Sequence, residues 1–152
     1  MFPSHDRWGV NQWLDIESMF YGCSNFTTIN ATDVPDISLC TSIRRLFRES
    51  GITLINLTGW NTSLVNNANE MTTNCSDLTT FIASGIDVSG ITQMNNFHQN
   101  CTSLTTIDYT GWVTSSLTDA GFFVSGCSSL NSFDVSHWDV TNLTFLFAYR
   151  GS

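Results

Sequence analysis

The sequence of 152 residues predicts an α/β fold built as a right-handed solenoid, with about five parallel strands on one face and short helical segments on the opposite face. Three observations predict it. Cys23, Cys75, Cys101 and Cys127 recur on a spacing of 26 residues or twice that. A large apolar side chain recurs on the same spacing at Trp8, Val34, Trp60, Ile86, Trp112 and Trp138. Between these columns, apolar residues step by three to four in one half of each copy and alternate in the other, as a helix face and a strand do. A fixed period of about 20 to 50 residues means that each copy buries its apolar side chains against its neighbours.

Residues 1–7 read as a lead-in and residues 8–152 as the repeat body, with copies beginning at 8, 34, 60, 86, 112 and 138 and no insertion between them. The helical half is predicted from three columns. The first holds Trp13, Leu39, Val65, Ile91, Leu117 and Leu143; the second Ile16, Ser42, Ala68, Met94, Ala120 and Leu146; the third Met19, Arg45, Met71, Phe97, Phe123 and Tyr149. Ser63, Ser89, Ser115 and Thr141 precede that run as N-caps. In the second copy Arg45 stands at an apolar position and Glu49 at the cysteine position, with Ile43, Leu46 and Phe47 available to fill the buried face instead. After the cysteine comes the spacing L-x-x-L-x-L, the strand signal of a leucine-rich repeat, which places strands near 26–31, 52–57, 78–83, 104–109 and 130–135. Gly59, Gly85 and Gly111 then close the strand with a tight turn before the large apolar residue.

Composition narrows the function. A hydrophobic content of 41% supports a continuous core, while only 12% of residues are charged. Five arginines, no lysine and 13 acidic residues leave a net charge of −8, which repels phosphate backbones and anionic lipid, so neither nucleic acid nor a membrane surface is an expected partner. No stretch is apolar enough to span a bilayer, and Met1–Val10 carries no export signal, so an exported chain would take its signal from a longer precursor. The cysteine column reads best as a buried row of free thiols, with disulfides between adjacent copies and a metal site as the other readings; Cys40 lies off the column.

The pattern resembles the BspA-like family of leucine-rich repeat surface proteins. The resemblance runs from Trp8 to Tyr149 and rests on Met19-Phe20-Tyr21-Gly22-Cys23-Ser24, on Val88-Ser89-Gly90-Ile91-Thr92-Gln93-Met94, and on Cys127-Ser128-Ser129-Leu130 leading to Trp138-Asp139-Val140-Thr141. It implies a non-catalytic interaction module at a cell surface, with adhesion to host proteins, and similar repeats occur in phage-encoded proteins. It transfers no catalytic residue and no cofactor.

The candidate site is the outward face of the strands: Thr28, Asn30, Leu54, Asn56, Thr80, Ile82, Thr106, Asp108, Ser132 and Asp134. Stacked strands hold such side chains rigidly, so little entropy is lost when a protein or glycan docks. The same rows also read as a merely solvated β surface, or as an ice-binding array interrupted by Asn, Asp and Ile. Arg44, Arg45 and Arg48 form a secondary docking patch for an anionic partner, or an ordinary solvated face. No metal is expected. Asp108 and Asp134, with Asp87 or Asp139 nearby, lack a loop supplying the six to eight oxygens that calcium takes. No histidine lies by any spacing rule near a nucleophile, and enzyme activity is not expected. The function expected is therefore a surface-exposed recognition or adhesion module. A structural subunit of a virion or surface layer, packing on neighbouring copies, is the alternative.

Overall fold

The computed structural model describes residues 7–29 and 31–146, the last two by backbone alone. Asn30, the lead-in up to Asp6 and Tyr149 lie outside the described residues. Five short strands form: β1 (Leu54–Asn56), β2 (Thr80–Ile82), β3 (Thr106–Asp108), β4 (Asp119–Ala120) and β5 (Phe145–Leu146). The first three make one parallel sheet and the last two another. Every pairing in both sheets joins residues 26 apart, from Leu54 to Thr80 to Thr106 and from Asp119 to Phe145. Parallel bridges from Ser42 to Asn67 to Gln93 to Asp119 continue the second sheet back through the chain. Ile55 and Phe81, at the centres of β1 and β2, point inward and are fully buried.

There is no helix among the described residues, which corrects the predicted α/β class. The backbone shows why. Ala68, Glu70, Thr72 and Asn74 do not donate their N–H groups four residues back; they donate to the carbonyls of Gln93, Asn95, Phe97 and Gln99 in the following repeat, at 2.8–2.9 Å. Glu70 and Asn74 adopt left-handed φ of 59° and 62°, as Asn96 and Asn100 do one repeat later, and a residue in that conformation interrupts a right-handed helix. The three-residue apolar steps instead follow single turns, such as the one closed by Val65 N–H on the Thr62 carbonyl. Ser63, Ser89 and Thr141 consequently cap no helix. Each donates its N–H to the side chain two residues earlier, at Asn61, Asp87 and Asp139, closing an Asx turn.

Two of the predicted strands, 26–31 and 130–135, are also absent among the described residues. Residues 26–29 and 130–135 carry no strand, and Thr27 contributes only its carbonyl, to the Thr53 N–H at 3.0 Å. The main sheet is thus three strands, or about 10 Å across at the usual strand spacing.

The second repeat runs one residue out of phase, contrary to the uninterrupted register read from the sequence. Thr72 donates to Phe97, and His98 to Phe123, 25 residues on, but Phe47 donates to Met71, only 24 on. Phe47 therefore occupies the column of Thr72 and His98, and it stacks on Phe20 with ring centroids 5.5 Å apart and planes 3° from parallel. By the same shift Ser50 takes the cysteine position and Glu49 the left-handed position of Asn74, while Arg45 matches Glu70. Cys40, which looked isolated, aligns with Val65 and is buried. The extra residue enters near Asp33–Pro35. It is compensated at Gly51, where Ser50-Gly51-Ile52 does in three residues what Cys75-Ser76-Asp77-Leu78 does in four.

Sulfur and hydroxyl groups tie the repeats together. Cys75, Cys101 and Cys127 each donate S–H to the carbonyl of Phe47, Thr72 or His98, at 2.9, 3.1 and 2.9 Å. All five cysteines are free thiols. Thr53, Thr79 and Thr105 each donate O–H to the carbonyl of the equivalent threonine 26 residues back, at 3.0–3.2 Å, and in a second row Thr92, Thr118 and Thr144 donate to the carbonyls of Asn66, Thr92 and Thr118.

Candidate functional site

The sheet register sets the outward face. Leu54, Thr80 and Thr106 lie side by side across β1–β3, as do Asn56, Ile82 and Asp108. Leu54 is 47% exposed, Thr106 and Asn56 are exposed, and Thr80, Ile82 and Asp108 are half-buried. Thr28, Ser132 and Asp134 are exposed but sit outside any strand, so the paired rows bring together six of the ten expected residues. Asn30 lies outside the described residues.

Part of this face is committed to its own backbone. Asn56, Asp108 and Asp134 each accept, on Oδ1, the N–H of the residue two further on: Thr58 at 2.9 Å, Thr110 at 3.0 Å and Ser136 at 2.8 Å. The Thr110 amide holds Asp108 below the usual carboxylate range, and Ser136, through its hydroxyl and its amide, does so for Asp134. The abundance of Asn, Asp, Ser and Thr therefore has a structural cause as well as a solvation one.

The arginine patch carries its own counter-ions. Arg44 reaches Glu17 and Glu70 at 3.4 Å each, Arg45 reaches Glu70 at 3.0 Å, and Arg48 pairs with Glu49 at 3.1 Å and also with Glu70. Three arginines thus face three glutamates, which leaves the net negative charge of the protein on its aspartates. The Glu70 side chain is only 15% exposed, so Glu70→Gln is expected to cost about 1 kcal/mol of stability and to make unfolding less salt-sensitive, as urea titrations at low and high salt would show. A loss that does not depend on salt would mean that the network acts through packing.

His98 stands inside the core with Thr72 and Cys101. Thr72 Oγ1 donates to the Phe97 carbonyl at 2.9 Å and lies 2.6 Å from His98 Nδ1, so Nδ1 carries the proton and gives it to the hydroxyl. The rings of Phe97 and Phe81 pack on the imidazole with centroids 4.5 and 4.6 Å away. Burial lowers the His98 pKa to about 3, so the ring is neutral. Histidine, threonine and thiol are all fully enclosed, and the hydroxyl is already spent on a carbonyl. This is a satisfied core histidine, apart from Nε2, which has no partner. Among the described residues no three His, Cys, Asp or Glu side chains gather as metal ligands.

The structure adds a feature the sequence reading missed. A cleft of about 320 Å³ opens beside β1, with Trp8 and Trp60 both in its lining. The two indoles meet edge to face at 5.7 Å across the second repeat, because Val34 in the same column is small and 46% exposed. Asp33 closes one side, accepting the N–H groups of Trp8 at 2.6 Å and Gly9 at 3.1 Å. The signal was present: Val34 interrupts a tryptophan column, and Asp33 stands where later repeats carry glycine.

Residues 41–149, about seven-tenths of the chain, match the family described as Mycoplasma protein of unknown function, DUF285. The chain belongs to that family. No curated protein and no solved structure matched. Among the described residues no helix is long and apolar enough to cross a membrane.

Proposed function

We propose that the chain is a non-catalytic recognition module displayed on the outside of a cell or particle, of the BspA-like kind, which binds a protein or glycan through the face of β1–β3. The observation that carries this reading is the register of Leu54, Thr80 and Thr106 beside Asn56, Ile82 and Asp108. Those side chains project from a three-stranded sheet in which β2 is paired on both sides and β1 and β3 on one, so docking costs little conformational entropy. The resemblance of the repeats to surface proteins supports the same reading.

The test is retention on immobilised extracellular glycoproteins, before and after enzymatic removal of their glycans, by the chain and by a Thr80→Arg/Thr106→Arg variant. The native chain should be retained, and the double variant should bind at least about tenfold more weakly with an unchanged melting temperature. Light scattering should find a monomer. Self-association, with no retention on any glycoprotein, would instead favour a structural subunit.

A further inference from the structure

We propose that the cleft beside β1, lined by Trp8 and Trp60, is a subsite for one neutral sugar ring of a glycan. The inference rests on the recognition reading above and names the chemistry of one part of it.

At about 320 Å³ the cleft is at the lower end of the 300–1,000 Å³ found for small-molecule sites, the size suited to a single ring. Its lining divides in two. Ile29, Ala31, Val34 and Leu54 with the indoles give an apolar wall against which the C–H face of a pyranose can lie. Asp33, Asn56 and Thr58 give polar atoms at the rim. Trp60 is 7% exposed, and its indole N–H finds no acceptor among the described residues, whereas the equivalent Trp112 N–H donates to the Ala83 carbonyl at 2.8 Å. Trp60 Nε1 is not one of the buried unpaired indole nitrogens, which are those of Trp13 and Trp138, so solvent reaches it and a ligand oxygen at the cleft can accept its N–H.

The mixture of groups selects the ligand. A sugar hydroxyl both donates and accepts, so one ring can give a proton to the Asp33 carboxylate and take one from Trp60 or from the Asn56 amide. A lysine or arginine side chain brings donors only, which would leave the indole N–H unmatched. Asp33 is moreover the only carboxylate in the lining, and both its oxygens already accept backbone amides. Three of the other tryptophan-column positions, Trp60, Trp112 and Trp138, carry an indole that is itself buried; the opening exists where Val34 replaces one.

The experiment is a titration of the whole chain with the methyl glycosides of glucose, galactose, mannose and N-acetylglucosamine, followed by tryptophan fluorescence and by saturation-transfer NMR. N-acetyl-lysine amide serves as the charged control. At least one glycoside should bind saturably. Val34→Trp, which fills the cleft with the side chain its column prefers, should abolish that binding without lowering the melting temperature. Trp60→Phe, which keeps the ring and removes the N–H, should weaken it about tenfold. Saturable binding that persists in Val34→Trp, or binding of the lysine amide in place of any sugar, would overturn the assignment. If no glycoside binds while the chain still holds a glycoprotein through the Thr80–Thr106 face, the subsite falls and the recognition reading stands.

Discussion

Gly51→Ala is expected to destabilise the protein by about 4 kcal/mol. A Cβ at position 51 would lie 2.0 Å from the carbonyl oxygen of Ser24 and 3.0 Å from its carbonyl carbon. Both are backbone atoms, so no side chain can rotate away. The two repeats would have to separate, breaking the bond from Gly51 N–H to the Cys23 carbonyl. Gly85→Ala is the comparison: its φ of +75° disfavours any side chain, but an added Cβ meets nothing within 4 Å. It should cost only about 1–2 kcal/mol, the ordinary penalty of left-handed backbone. Urea unfolding of both variants decides the matter, and equal losses would mean that repeats one and two do not approach each other so closely.

The second large effect is on acid stability. His98 has a pKa of about 3 in the folded protein against 6.5 when unfolded, because its buried site excludes charge. Below pH 6.5 the unfolded chain takes up a proton that the folded chain refuses until pH 3. The neutral histidine's contribution is therefore fully present above pH 6.5 and is lost as pH falls toward 3, up to a ceiling of about 5 kcal/mol. Between pH 7.5 and 5 the loss should be about 2 kcal/mol. That window lies above the range in which the aspartates held low by hydrogen bonds, such as Asp87 and Asp108, begin to be protonated. His98→Phe puts in this column the residue already present at Phe20 and Phe47, and Thr72 keeps its bond to the Phe97 carbonyl. The variant should lose less than about 0.5 kcal/mol over the same interval. An equal loss in both proteins would show that the imidazole is hydrated.

The period of 26 was legible because side chains in register across parallel strands are chemically alike: Thr80 beside Thr106, Phe81 beside Ile107. The backbone conformation inside a period was not. Apolar residues three apart, such as Val65, Ala68 and Met71, suit a helix face, but they suit successive tight turns equally well. The deciding facts are the left-handed Glu70 and Asn74, whose residue types only weakly announce that conformation. The phase slip in the second repeat was half legible. Ile43, Leu46 and Phe47 were identified as the apolar substitutes, and all three are buried. Placing Glu49 in the cysteine column was wrong, because one added residue and one omitted residue cancel in the count; the bond from Phe47 to Met71 and the pairing of Ser50 with Cys75 at 3.7 Å reveal them. At the candidate site, the alternation locates Leu54, Thr80 and Thr106, whereas the Trp8–Trp60 contact crosses an intervening repeat and is announced in the sequence only by Val34 interrupting the tryptophan column and Asp33 replacing a glycine.

Everything proposed about the outward face depends on backbone hydrogen bonds that pass from repeat to repeat. Scalar couplings measured by NMR across individual hydrogen bonds test this directly. The structure predicts couplings from the amides of Ala68, Thr72 and His98 to the carbonyls of Gln93, Phe97 and Phe123, and from Leu57 to Ile82. Couplings from residues 68–74 to carbonyls four positions earlier in the same repeat would instead establish helices, and would contradict the account.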